Sequence, residues 1–288
     1  MNRPPRKLAA ESQKQGASEH RTGVYTQVHE DSSTEATQLL TSAVKFPKRS
    51  NIWALCDATK YIAPLTCNAW RVVENQMQST TRSLVDSIAE HEVLEQLIEA
   101  AKPSLLAAET EYHYLLATPF RYPPLKYGSR FGTENQRGIW YGSWTVKTAL
   151  SEVGYYRLRF LHDSEAKIDF LELIFTAFSV DIHSTNGLDL TKIPFLHYKD
   201  KISSPQNYEH SQKLGKMMRQ HGIDIFYYFS ARDTASGVNI GVISPYAFAK
   251  KVPNPNQQTW RCFCTRDKVE FSNSDILDPE KFEFIVSF

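Results

Sequence analysis

From Thr80 to Ala101 the apolar residues Leu84, Ile88, Leu94, Leu97, Ile98 and Ala101 mostly recur every three or four positions. That spacing predicts one or two amphipathic helices, with Thr80 as the cap and Lys102-Pro103 as the stop. The period returns after Ser143, where Val146, Ala149, Leu150, Val153 and Tyr156 share one broad helical face, preceded by the short aromatic strand Ile139-Trp140-Tyr141. The helix feeds Arg157 to Leu161 and then the apolar run Ile168 to Ile182, whose β-branched and aromatic content favours a strand although its length also fits a helix. Further on, Glu209 to His221 reads as a helix stopped by Gly222, and Ile223–Phe229 and Val238–Ile243 read as strands. Ser244-Pro245 opens a short helix, and Thr259–Thr265, Lys268–Phe271 and Phe282–Val286 read as three more strands. Strands and helices do not alternate regularly enough for a doubly wound parallel sheet, so the pattern predicts an α+β domain.

Residues 1–45 carry Lys, Arg, Glu, Gln, Ser and Thr with almost no aromatic residue, too little apolar surface to offset the entropy of ordering. They are predicted to form a disordered tail. A helical N-terminal extension is expected over 46–110 and the main domain over 111–288. Composition adds that the remainder is globular: 41% of the 288 residues are hydrophobic and 23% charged. Lys plus Arg at 33 against Asp plus Glu at 32 leaves a net charge of +1, so no whole-molecule field attracts nucleic acid or an anionic membrane. The longest nearly apolar stretch, Phe170–Val180, is shorter than the roughly 20 residues a membrane helix needs, and Met1–Gln15 lacks a signal-peptide core. A cytoplasmic protein is expected. Cys56, Cys67, Cys262 and Cys264 form no CxxC pair, and Cys262 and Cys264 alternate as same-face strand residues, so no metal site is expected.

Chemistry concentrates between Thr118 and Tyr156, where arginines and tyrosines sit among Gly and Pro turns. Arg121 and Arg130 lie nine residues apart across Pro123-Pro124 and Gly128, and two converging guanidinium forks would suit a diphosphate. Tyr122 and Tyr141 could offer flat faces to a heterocycle, or be ordinary half-buried strand aromatics. Glu152 stands beside the apolar face of its helix, as an edge charge or as a group placed to act. No GxGxxG follows a strand, and GxxxxGK[ST], GxSxG and HExxH do not occur, which weakens the Rossmann, P-loop, α/β-hydrolase and zincin readings. The residues by themselves point to a site for a phosphorylated, aromatic small molecule.

In order and content the segments Phe120-Arg121-Tyr122, Gly128-Ser129-Arg130-Phe131-Gly132, Trp140-Tyr141-Gly142, Thr148 to Val153, Tyr228 to Asp233 and Asn239-Ile240-Gly241-Val242 resemble the RES domain. That family is the toxin half of a class of bacterial toxin–antitoxin pairs, named for Arg, Glu and Ser positions. Trp70 to Gln76 and the helix ending at Ala101-Lys102-Pro103 are similar to longer members, so the likeness spans about Ala69 to Lys250. It implies an ADP-ribosyltransferase-like fold, central β-sheets flanked by helices, and an enzyme that degrades NAD by cleaving the nicotinamide–ribose bond with phosphate or water as acceptor. NAD would be substrate rather than cofactor, inorganic phosphate a co-substrate, and a cognate antitoxin protein the partner; a homo-oligomer stays open. By the same resemblance Glu152 stabilises charge on the ribose, Arg121 and Arg130 hold the diphosphate or the attacking phosphate, and Tyr122 and Tyr141 orient ribose and nicotinamide. Ser230 matches the family serine, expected as a hydroxyl donor to ligand phosphate, with Ser236 as its competitor. The chain departs from shorter members with Gly-Ser-Arg-Phe-Gly in place of a Gly-Gly-Arg-Trp-Asn type sequence and Phe-Ser in place of Pro-Ser. ADP-ribosyl transfer to protein or RNA and a non-catalytic nucleotide-binding module are the alternatives.

Overall fold

A computed structural model describes residues 51–75, 85–104, 109–124, 126–166, 168–275 and 279–285. The expected tail 1–45, the cap Thr80 with Leu84, and Val286 lie outside them. The described chain runs α1 (Ile52–Leu55), β1 (Ile62–Glu74), α2 (Ile88–Ala101), α3 (Tyr114–Arg121), β2 (Trp140–Ser143), α4 (Val146–Asp163) and β3 (Leu171–Asp189). It continues through α5 (Lys199–Ile202), α6 (Glu209–Gln220), β4 (Ile225–Phe229), β5 (Val238–Val242), β6 (Gln258–Cys264), β7 (Lys268–Asn273) and β8 (Lys281–Ile285). The α+β expectation holds: these eight strands form one large sheet in the order β1-β2-β5-β4-β3-β6-β7-β8, with helices on its faces.

β3 organises the whole. Its 19 residues pair antiparallel with β1 from Phe175 to Leu188, antiparallel with β6 from Leu171 to Ala177, and parallel with β4 from Gly187 to Asp189. Because β1 also meets β2 at Trp70–Ser143, the strands β1, β2, β5, β4 and β3 close into a ring from which β6, β7 and β8 extend. The ambiguous apolar run is therefore a strand from Leu171 onward, with Phe175 and the stretch Ala177–Val180 buried in it. The described part of the segment 46–110, expected to be a helical extension, supplies β1 as well as α1 and α2, and from residue 51 on it belongs to the same compact unit as the rest of 49–288. Its strand character comes from long-range pairing with β3 rather than from local alternation.

Three apolar clusters fill the faces. β4 is buried on both sides, sending Phe226 and Tyr228 toward α1 and α6, and Ile225 and Tyr227 toward α3. α4 begins at Thr145, whose side chain caps the Thr148 amide, and lays Leu150, Leu158 and Leu161 against Trp260, Cys262 and Phe271 of the extension. The capping residue of α2 is Ser87, in a capping box with Glu90.

Candidate active site

The register of the ring fixes a polar row. Ser143 of β2 stands opposite Asn239 of β5, and Asn239 opposite Tyr228 of β4, so the three share one face. α4 crosses this face and adds Ala149, Glu152, Val153 and Tyr156, the spacing that puts residues on one helical stripe. Together with Arg71 of β1 and the turn Gly128–Arg130 they surround a cleft of about 400 Å³. Among the described residues no carboxylate other than Glu152 lines it.

Glu152 is held by two donors on a single oxygen. The Ser230 hydroxyl donates to Oε1 at 2.6 Å and the Asn239 amide donates to the same atom at 2.7 Å. The amide's orientation is set in turn by Ser143, whose hydroxyl donates to Asn239 Oδ1 at 2.7 Å. Ser230 is itself fixed, accepting from the backbone amides of Arg232 and Asp233 at 3.0 Å each, so its one proton is committed to Glu152. Oε2 takes no hydrogen bond among the described residues. Ser230 thus orients the carboxylate through this hydrogen bond. Ser236 sits apart at φ 58°, accepting from Lys199 Nζ at 3.1 Å.

Arg130 lines the cleft. Its Nη1 donates to the Ser204 carbonyl at 2.7 Å and its guanidinium lies 4.7 Å from the Tyr208 ring centre, and among the described residues no carboxylate pairs with it. The turn that carries it is pinned by α6: Gln212 donates to the carbonyls of Tyr127 and Ser129, and Gly128 takes the left-handed φ of 74°. Tyr141 lines the cleft and closes this turn, its hydroxyl within 3.0 Å of Ser129 Oγ and accepting from the Phe131 amide at 3.3 Å. Burial pushes Tyr141 above the ordinary phenol value; burial, and next the Glu152 carboxylate, does the same to Tyr228 more strongly. Both stay protonated at neutral pH.

Arg121 is not in the cleft. It closes α3 on the side of α2, where it pairs with Glu99 at 2.9 Å and donates to the Pro103 carbonyl. Tyr122 is likewise outside, lining a second pocket beside α3. The second guanidinium lining the cleft belongs to Arg71, which lies far from Arg130 in sequence. Arg71 donates to the Tyr141 carbonyl at 2.8 Å, stacks over Trp140, and has no partner for its buried Nε among the described residues. Burial brings it down to about 10, so it remains a cation at neutral pH. Asn239 was also missed. The available signals were a charged residue inside an apolar strand segment, Trp70-Arg71-Val72-Val73, and an Asn inside Val238–Val242, where strands disfavour it.

A family model for the RES domain matches residues 105–264, more than half of the chain. The chain belongs to the RES domain family. This RES protein also matches a chain in the crystal structure of the M. tuberculosis MbcT–MbcA toxin–antitoxin complex, at 10% identity and a TM-score of 0.37, over 63% of this chain and 75% of that one. No curated protein shows significant similarity to it.

Proposed function

We propose that this RES protein degrades NAD by breaking the bond between nicotinamide N1 and ribose C1′. The observation that carries the reading is a carboxylate held by Ser230 and Asn239 in a cleft that Arg71 and Arg130 also line, two guanidinium groups with no carboxylate partner among the described residues. RES-domain membership supports it. As the C1′–N1 electron pair leaves with nicotinamide, the ribose gains oxocarbenium character, and a fixed anion nearby stabilises that charge more than it does the neutral sugar. The two guanidinium forks suit the diphosphate, or one suits it and the other an attacking inorganic phosphate. Attack at this anomeric carbon, C1″ in the numbering of ADP-ribose, forms a C–O bond from phosphate, giving ADP-ribose 1″-phosphate, or from water, giving ADP-ribose with its proton lost to solvent. A toxin of this kind needs restraint, so a cognate antitoxin that covers the cleft belongs to the same proposal.

Incubating NAD with purified protein, with and without inorganic phosphate, and following the products by NMR tests the reading. Phosphate-dependent release of nicotinamide marks phosphorolysis and phosphate-independent release marks hydrolysis. Intact NAD in both conditions overturns the proposal, and label retained on protein or RNA from a lysate replaces it with ADP-ribosyl transfer.

A further inference from the structure

Arg71 borders two cavities rather than one. On its other side lies a pocket of about 240 Å³ between α3 and β1, lined by Val73, Tyr114, Leu115, Thr118 and Tyr122. Apart from Arg71 and Thr118 the walls are apolar or aromatic, and no acidic residue among the described ones lines them. The volume lies below the 300–1,000 Å³ of pockets that enclose whole drug-sized ligands, which suits one flat ring system. Tyr114 and Tyr122 are both solvent-accessible, at 53% and 38%, so their rings are not consumed by the core.

The geometry points to this pocket as the seat of the purine base of the dinucleotide, with Arg71 holding the diphosphate between base and nicotinamide riboside. The inference rests on the NAD reading of the main cleft and adds the half of the substrate that cleft leaves unassigned. A dinucleotide needs an aromatic site, a cation and a second aromatic or sugar site in line. Here a single buried guanidinium, with one donor used on the Tyr141 carbonyl and its Nε unpartnered among the described residues, is common to both cavities. Tyrosine faces stack on any base and give affinity without strong discrimination between bases. The wall is built by α3, so binding of the base depends on an element outside the strand ring that carries Asn239 and Tyr228.

The test compares turnover of NAD with that of nicotinamide mononucleotide, which lacks the adenylate half, in wild type and in Thr118→Trp. Thr118 is exposed, so the larger ring fills the pocket without displacing core residues. The expected result is a wild-type preference for NAD in kcat/KM that falls by about tenfold or more in the variant through a raised KM for NAD. AMP should compete with NAD in wild type and lose that competition in the variant. An unchanged NAD preference in Thr118→Trp, or AMP that does not compete, overturns the pocket assignment while leaving NAD degradation standing. If wild type degrades neither compound, the functional reading fails by itself. The pocket is then judged by saturation transfer from protein to the adenine protons of AMP, which must occur in wild type and vanish in Thr118→Trp.

Discussion

Glu152 gains its fixed position from two donors that converge on Oε1, and the consequences can be separated by substitution. In Glu152→Gln the amide carbonyl keeps both the Ser230 and the Asn239 bond, which places an NH₂ group where Oε2 stood. Shape and polarity are preserved and the negative charge is lost. NAD should still bind, with KM little changed, while kcat falls by roughly 10³-fold, the scale of losing a preorganised electrostatic group; steady-state kinetics beside direct NAD titration reads both. Ser230→Ala and Asn239→Ala each remove one hydrogen bond to a charged group, so each should cost roughly tenfold or more in kcat. The double variant should fall short of the product of the two, because either loss already frees the carboxylate to rotate. Independent, fully multiplicative losses would place the two residues in separate roles. Glu152, Arg130 and Tyr141 were legible along the chain because turns, aromatics and a helix start gather them into 23 consecutive positions. Arg71 lies 59 residues before Arg130 and reaches the cleft only through the pairing of β1 with β3 and β2, which no local pattern encodes.

Helix and strand periods survive where one face is buried and fail where burial is uneven. α4 and α6 were legible because each buries one stripe, whereas β1 reads Ile-Ala-Pro-Leu-Thr-Cys-Asn-Ala-Trp-Arg-Val-Val-Glu, with half-buried positions scattered irregularly along it. Pro64 and Arg71 disguise it further, since a proline or a charge inside a run argues against a central strand. The contact of α6 with the Arg130 turn depends on a different local feature, Gly215. A Cβ at that position would lie 1.9 Å from the Phe131 carbonyl oxygen, and the obstructing atom is backbone. Gly215→Ala must therefore push α6 and the Gly128–Gly132 turn apart, against the usual gain in helix propensity. We expect about 1–3 kcal/mol of lost stability, a melting midpoint lower by several degrees in calorimetry, and a raised KM for NAD because Arg130 moves with the turn. An unchanged midpoint would show that the helix and the turn do not approach so closely.

At the scale of the whole molecule, one long strand ties a closed ring to a flanking extension, and the cysteines report on whether that construction stays shut. Cys262 and Cys264 point into the cluster between α4 and the β6–β7 pair, Cys56 into the cluster under α6, and Cys67 lies beside Tyr227. The expected same-face placement of Cys262 and Cys264 is thus the one adopted, on the buried side of β6. Burial is the leading cause that raises all four thiols, Cys262 to about 12 and Cys67 and Cys264 to about 11, with Cys56 raised as well. Since the thiolate is the reactive form, at pH 8 a thiol near 11 is ionised in only about one molecule in a thousand. Native protein should accordingly react slowly with a disulfide reagent such as DTNB, and all four thiols should react at once in guanidinium chloride. The domain boundary drawn from sequence at residue 110 makes a contrary forecast: a detachable helical extension would free Cys56 and Cys67 independently of Cys262 and Cys264. Because β1 is hydrogen-bonded to β3 from Ile62–Leu188 to Glu74–Phe175, opening that ladder opens the ring itself. Increasing denaturant should expose the four thiols in one cooperative step, and two well-separated steps split between Cys56–Cys67 and Cys262–Cys264 would mean that the segment before residue 110 folds as a unit separate from the rest.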